Sequence, residues 1–351
     1  MKPGLLLAMR WSGSLLALAL LLVFLGCSSE PQRGDDDDSS VVDDDDSSVV
    51  DDDDSSVVDD DDSSVVDDDD SSAVDDDDAV DDDDTAPAGM WSDISVGRVH
   101  SCGIDPTGTL QCWGGDQFGQ STPPAGTFLQ VSAGWEHSCA LDTSGNAHCW
   151  GSDADGQCQV PTGLTFTYIS AGTLSSCGIT TGGALECWGG PHGPAMNPPV
   201  APMAMVSVSN RHSCGVGISE RVACWGNNNF GQQDFPPVTG FVEVSAGFRH
   251  TCGLTTLGAV QCYGMDDHGQ SSVPLFAQQA VQVSSRNNFT CARLADGTAA
   301  CWGENDQGQA SPPAGATWLQ VETGHDHACG IDSFGAPVCW GSNTFGQSSP
   351  P

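Results

Sequence analysis

Apolar residues are distributed along this chain in three ways. From Leu15 to Leu25 they form one short, nearly unbroken run. Between residues 35 and 84 they shrink to isolated Val pairs (with Ala-Val in the last blocks) between blocks of Asp and Ser. From about residue 86 onward they come as short stretches of β-branched and aromatic residues, such as Phe128-Leu-Gln-Val131, separated by Gly-rich turns. The last pattern predicts strands, and no segment has convincing helical periodicity. Asp105-Pro-Thr-Gly108 and Asp142-Thr-Ser-Gly145 are turn signals; three residues ending in Gly suit a type I turn closed by a G1 bulge.

The strand-forming region is repetitive. Seven units begin at Ile94, Val131, Ile169, Val206, Val244, Val283 and Val321, so the period is 37–39 residues. Each unit holds three strand stretches: one before a Ser-Ala-Gly-like turn, one with a first Cys, and one with a second Cys followed by an aromatic. All-β units of this length, repeated radially, predict an all-β, seven-bladed β-propeller of ~38-residue blades over residues 86–351. A solenoid is the alternative, but it needs distinct caps at both ends. The last unit stops at Ser349-Pro-Pro351, where other units continue as in Pro123-Pro-Ala-Gly-Thr-Phe-Leu-Gln130. The missing piece stands at the front, as Ala86-Pro-Ala-Gly-Met-Trp-Ser-Asp93. The N-terminal strand is therefore expected to close the ring by completing the blade that the C-terminus leaves short.

The pattern Ser-Ala-Gly-x-x-His-[Ser/Thr]-Cys, followed by Cys-Trp-Gly and Gly-Gln, resembles repeats of the regulator-of-chromosome-condensation type. The short blade is most similar to that of β-lactamase inhibitor protein II. The resemblance covers about 265 of 351 residues. It implies a propeller fold; the family serves many unrelated functions, among them exchange factors, inhibitors and adapters.

Composition adds where the chain belongs. The formal net charge is −39, with 48 Asp and Glu against 9 Lys and Arg. No basic footprint is present to neutralise phosphates, so a nucleic-acid partner is not expected. Lys2, Arg10 and the apolar run read as a secretory signal over residues 1–26. Val23-Phe-Leu-Gly-Cys27 resembles the lipobox of bacterial lipoproteins, which implies lipidation of Cys27 and a mature N-terminus over residues 27–34. Ser28 in place of Asp then favours the outer membrane or cell surface. Residues 35–85 hold seven blocks of four Asp, 28 negative charges that resist collapse. A disordered acidic spacer is expected, reaching at most roughly 165–180 Å. A replication-slippage tract and loose Ca²⁺ association are the other readings.

Sixteen Cys point to an oxidising compartment. Fourteen of them form pairs ten residues apart: Cys102/Cys112, Cys139/Cys149, Cys177/Cys187, Cys214/Cys224, Cys252/Cys262, Cys291/Cys301 and Cys329/Cys339. A three-residue loop between two strands sets each pair opposite, so seven disulfides within blades are expected. Cys158 is left over; the chain is expected to be monomeric, with an intermolecular disulfide at Cys158 as the alternative.

Residues repeated in most units are scaffold. That holds for His100, His137, His212, His250 and His327, and for the aromatic after each second Cys, Trp in six units and Tyr263 in the other. Exceptions to the repeat mark a site. The tips between first and second strands vary most, and four of the six Arg in residues 85–351 lie there. The candidate binding face is Arg98, Trp135, Arg211, Phe248, Arg249, Arg286 and His325, rimmed by Asp116, Asp153, Asp155, Asp266, Asp267, Glu304 and Asp306. Arg and aromatics are enriched in interface hot spots; the competing reading is that the Arg side chains neutralise nearby carboxylates. Asp153-Ala-Asp155-Gly156 is a truncated Ca²⁺-loop pattern. No catalytic set, metal or cofactor is expected. The function expected is an envelope-anchored module binding a protein or glycan. The alternatives are an inhibitor of a secreted or periplasmic enzyme and a polysaccharide-acting enzyme.

Overall fold

The computed structural model describes residues 89–190, 198–277 and 279–351. The signal segment, Cys27 and the Asp-rich spacer lie outside the described residues. The remainder is all-β and repeats one three-stranded antiparallel sheet seven times. In the first blade these are β1 (Asp93–Val96), β2 (His100–Ile104) and β3 (Leu110–Gly114). The other first strands are β4 (Phe128–Ala133), β7 (Phe166–Ala171), β10 (Met203–Val208), β13 (Phe241–Ala246), β16 (Ala280–Arg286) and β19 (Trp318–Thr323). Each packs against the next around a circle, and β1 packs against both β4 and β19. The seven-bladed propeller is therefore closed.

Each strand has the burial its sequence dictates. In β4, Phe128, Val131 and Ala133 are buried between blades, while Gln130 and Ser132 line the central channel. Middle strands such as β2 are sandwiched between neighbouring blades and buried throughout. Outer strands such as β3 are partly exposed. Six first strands carry a β-bulge near their start, as between Phe128 and Gln130. The turns follow the expected chemistry: the Asp105 carboxylate accepts from Thr107 N (2.8 Å) and Thr109 N (3.0 Å), and Gly108 takes φ 81°.

All seven Cys pairs face each other in register, with Cα atoms 4.0–4.1 Å apart, and are bonded. The bonds are Cys102–Cys112, Cys139–Cys149, Cys177–Cys187, Cys214–Cys224, Cys252–Cys262, Cys291–Cys301 and Cys329–Cys339. The two Cys of each pair are not equally buried. The first Cys of each pair lies on a middle strand and is fully buried between blades. Its partner, Cys112, Cys149, Cys187, Cys224, Cys262, Cys301 or Cys339, is only half-buried. The physical reason is that these seven lie on the outer strand, which is the edge of its sheet. Each disulfide therefore clasps an edge strand to a covered one, rather than joining two core positions.

The N-terminal strand closes the ring as expected, but without joining the sheet of the last blade. The last blade is complete in itself, with β19 followed by β20 (His327–Asp332) and β21 (Pro337–Gly341). The N-terminal segment instead forms the inner strand of the first blade and packs against β19 of the last, and its lead-in docks there as well. Trp91 N donates to Gly335 O (3.0 Å), as Phe128 N donates to Gly108 O in the preceding blade (2.9 Å). What looked like a missing strand is the ordinary linker from one blade to the next.

The repeated polar residues join blades. His100 Nε2 pairs with Ser138 Oγ of the next blade (2.8 Å), His137 with Ser176 (2.9 Å), His250 with Thr290 (2.9 Å) and His327 with Ser101 (2.9 Å). Burial lowers the pKa of His100, His137, His250 and His327 to about 3 and of His212 to about 4, so all are neutral. Where Phe289 replaces His, the facing residue is Ala328, which has no hydroxyl to satisfy. A second joint runs from Trp Nε1 to the carbonyl of the preceding blade's Gln: Trp150 to Gln120 (2.9 Å), Trp302 to Gln270 (3.0 Å), and Trp113 to Gln347 (2.9 Å) across the closure.

Candidate functional site

The first–second strand tips and the Gly-Gln loops share one end of the propeller, the tip end. Their backbones are bonded there, as in Gly115 N to Val99 O (2.7 Å) and Ser152 N to Glu136 O (2.8 Å). The seven candidate residues do lie at this end, but in three different states. Arg98 stacks on Trp135 (4.7 Å) and pairs with Glu136 (3.2 Å), while His325 meets the Trp135 ring edge-on (5.1 Å) and bonds Asp326 (2.7 Å). Arg249 lies between Phe230 and Phe248, 4.9 Å from each ring. Arg211 is exposed and makes no ion pair among the described residues.

Arg286 is not a surface residue. It extends from the end of β16 across the channel, and donates to Val96 O (2.7 Å), Ala133 O (2.6 Å) and Ala171 O (3.0 Å) on three opposite blades. Burial lowers its pKa to about 10, which leaves it charged at neutral pH. It can reach because the equivalent positions are Gly97, Gly134, Gly172, Gly247 and Gly324, with Ser209 in the remaining blade. A Cβ on Gly134 would stand 2.5 Å from Gly172 O, and one on Gly97 2.6 Å from Gly134 O. Neighbouring backbones therefore close to an iris, and the guanidinium seals it.

The acidic rim is also thinner than the sequence implies. Asp116, Asp153 and Asp266 turn back on their own loops and accept from Ser121 N (2.7 Å), Cys158 N (2.9 Å) and Ser271 N (2.7 Å). Glu304 accepts from Asn288 Nδ2 (2.9 Å). Asp155, Asp267 and Asp306 are the exposed acids that remain. Cys158 is half-buried, and its thiol donates to Ser152 O (3.3 Å). Burial and the neighbouring Asp153 push the thiol up to about 12, so it stays protonated and a poor nucleophile.

Beneath Arg286 lies a feature the sequence reading missed: a cavity of about 310 Å³ along the channel axis. Its lining follows the strand pleat. One ring is Asp93, Gln130, Tyr168, Met205, Glu243 and Gln320, with Gln282 at the equivalent position of the remaining blade, and the next is Ser in six blades and Glu322 in the seventh. These side chains knit the blades. Most accept from a backbone N–H of the next blade: Gln130 from Ile169 N (2.9 Å), Asp93 from Val131 N (2.8 Å), Ser132 Oγ from Ala171 N (2.9 Å), Gln320 from Ile94 N (3.1 Å). Three carboxylates and the Arg286 guanidinium are the charged groups on the lining. Burial pushes Asp93 up to about 6, Glu322 to about 7 and Glu243 to about 8, with repulsion from Glu322 adding to the last. Glu322 breaks a Ser repeat, as Arg286 breaks a Gly repeat. The first exception was visible by the rule that exposed the second, had it been applied to the inner strand as well as to the loops.

Comparison with known proteins agrees with this geometry. Residues 91–120, 128–157, 241–270 and 280–309 match the regulator of chromosome condensation (RCC1) repeat, so the chain carries repeats of this type. No curated protein matches by sequence. Among solved structures, the CRINKLY WD40 ectodomain of the Arabidopsis thaliana receptor kinase ACR4 is 24% identical, with a TM-score of 0.62, covering 75% of this chain and 99% of that one. The ectodomain of the Physcomitrella patens receptor kinase CR4 is 22% identical, with the same TM-score, covering 72% and 74%. Prp20p of Saccharomyces cerevisiae is 13% identical, with a TM-score of 0.59, covering 73% and 83%. These likenesses establish the fold.

Proposed function

We propose that this protein is a binding module for a protein partner, displayed from the cell envelope on the Asp-rich spacer and anchored by lipid on Cys27. The seven disulfides support an oxidising compartment. Propellers with RCC1-type repeats support a partner-binding role over chemistry; Prp20p, for one, is described by its binding to Gsp1p and histones. The observation that carries the reading is the pre-ordered aromatic and Arg patch at the tip end. Trp135 is held by Arg98 and His325, and Phe248 by Arg249, so little side-chain freedom remains to be lost on docking. Arg211, without an ion-pair partner among the described residues, and the exposed acids Asp155, Asp267 and Asp306 form the surrounding polar rim.

The test is capture of envelope and secreted proteins by the full-length chain, beside a Trp135→Ala/Phe248→Ala variant. A partner retained by the first and lost, about 100-fold or more, by the second is the expected result; each hot-spot truncation removes ~2 kcal/mol or more. Equal capture by both chains overturns the assignment of this face. A palmitate label on the chain that disappears with Cys27→Ser checks the anchor.

A further inference from the structure

The two ends of the channel are built differently. At the tip end Arg286 separates the cavity from a dimple of about 20 Å³ beneath Trp135 and Phe248. No such plug stands, among the described residues, at the opposite end, where the first strands begin. There the residue just before each member of the outer cavity ring is turned to solvent, and in four blades it is large and apolar. Leu129 is 65% exposed, Val242 48%, Val281 45% and Leu319 44%. The nearby turns of the same end expose Leu257 (90%) and Phe334 (86%). An apolar collar thus surrounds an entrance to an acidic interior.

The interior is short of positive charge. Glu322 is held by Gln282 Nε2 (2.9 Å) and Ser284 Oγ (2.9 Å), and Asp93 by Val131 N and Gln320 Nε2 (3.0 Å). Glu243 accepts a single hydrogen bond, from Val283 N (3.2 Å); its other oxygen faces the cavity with no partner among the described residues. The one guanidinium on the lining is committed to three carbonyls at the far end. Among the described residues no three acidic or imidazole groups converge closely enough to chelate a metal ion. Carboxylates placed in two successive rings of a cavity of about 310 Å³ suit an extended organic cation instead.

We propose that the open end of the channel is a second docking site, which takes a basic side chain of a partner protein, lysine or arginine, while the collar packs against apolar residues flanking it. An alkyl stem would cross the collar and its charged head would reach Glu243, then Glu322. This goes beyond the tip-end reading and does not depend on it, because the residues are on the opposite side of Arg286.

The probe is acetyl-Leu-Lys-Leu-amide, beside its Gln counterpart and putrescine, titrated calorimetrically into the full-length chain at pH 7. The spacer's Asp blocks attract any cation, so the reading is the difference between the chain and its Glu243→Gln/Glu322→Gln variant, which carry the same spacer. Expected are at least tenfold weaker Lys-peptide binding in the variant, and no measurable site for the Gln peptide. Leu129→Ser/Leu319→Ser, at exposed positions that leave folding intact, is expected to weaken the Lys peptide while leaving putrescine unchanged. Lys-peptide binding is also expected to release protons, seen as a buffer-dependent heat. A cation lowers the raised carboxylates; the other titratable or charged groups that bear on them are Tyr168 and Arg286 on the lining and Arg293, which lies off the lining on β17 (Phe289–Leu294), the middle strand of the adjacent blade. Equal peptide affinity in the chain and the carboxamide variant overturns the site. Putrescine binding as tightly as the Lys peptide overturns the protein partner and makes the cavity a free-amine site. Indifference of the Lys peptide to the collar variant does the same.

Discussion

The two ends of one channel are made from the same seven strands, yet they solve opposite problems. At the tip end five of seven positions are Gly, the backbones touch, and a single Arg seals what is left. Toward the other end the same strands carry Gln, Asp, Glu, Tyr and Met, and the blades are held apart by side chains that bridge from one backbone to the next. The first end is rigid because nothing more fits. The second is spacious because its side chains span a gap. Radial repetition does not make a propeller symmetric along its axis; one residue per blade decides which mouth is shut.

The largest contrast is expected with pH, because the two regions titrate in opposite senses. The five joint histidines flank the iris, and their folded pKa is far below the unfolded value near 6.5. Below 6.5 the unfolded chain takes up protons that the folded chain refuses. Stability therefore falls as pH drops toward 4, by up to ~1.4 kcal/mol per histidine per pH unit. Asp93, Glu322 and Glu243 are raised above their unfolded values, so the folded chain binds more protons and stability falls as pH rises toward about 8. Between 4.5 and 6.5 five histidines outweigh three carboxylates. A melting temperature that peaks between pH 6 and 7, with a steep acid arm and a shallow alkaline one, is the expected result. A curve flat from pH 4.5 to 6.5 breaks the account of the joints. Removing the Asp blocks of residues 35–84 is expected to leave the shape of the curve unchanged.

Arg286→Ala comes next. It leaves the carbonyls of Val96, Ala133 and Ala171 without their donor in the narrow glycine neck of the channel, and takes the balancing charge from Glu322. Hydrogen bonds to a charged group contribute ~1.5–3 kcal/mol each, and stranding buried partners costs more than the bonds alone. A loss of about 3–5 kcal/mol is expected, read as a lower denaturant midpoint with the disulfides intact. Arg286→Lys restores only part of it, since one ammonium cannot reach three carbonyls as the planar fork does. If Arg286→Ala is as stable as the parent chain, the residue is no seal.

Much of this was legible in the sequence, and the limit has a physical form. The blade count, the strand assignment and all seven Cys pairs follow from a period near 38 and a loop of fixed length, which leave few ways to pair strands. The unequal burial within each pair was not legible, because spacing says which Cys meet and not which strand is the edge. The tip loops were legible as variable, but Arg98 and Arg249 could not be read as stacked, because their partners Trp135 and Phe230 come from another blade or another loop. Arg286 was noticed as an exception and placed on the surface. Only the iris of glycines, formed by backbones from different blades, shows that it points inward. The cavity went unread because its lining is dilute. One residue in each of seven units, 37 to 39 positions apart, makes no local motif.

A paired substitution tests the contrast between the ends at the level of a single methyl group. Gly134, just past the end of β4, and Gln130 within it stand four positions apart, at the iris and in the cavity ring. An added Cβ at Gly134 would lie 2.5 Å from Gly172 O and 2.7 Å from His137 Cε1, a backbone atom and a ring pinned to Ser176. Neither can retreat without opening the blade joint, so Gly134→Ala is expected to cost about 1–3 kcal/mol. Gln130→Ala removes atoms where there is already space for water. It frees Ile169 N and Ile169 O from the side-chain bridge, but water in the adjoining cavity can replace it. Its cost is expected to stay below ~1 kcal/mol, although far more atoms are removed than Gly134→Ala adds. Matched chemical denaturation of the two variants decides the matter. If the deletion proves the costlier change, the strands are held together at the cavity end, and the iris is only where they happen to meet.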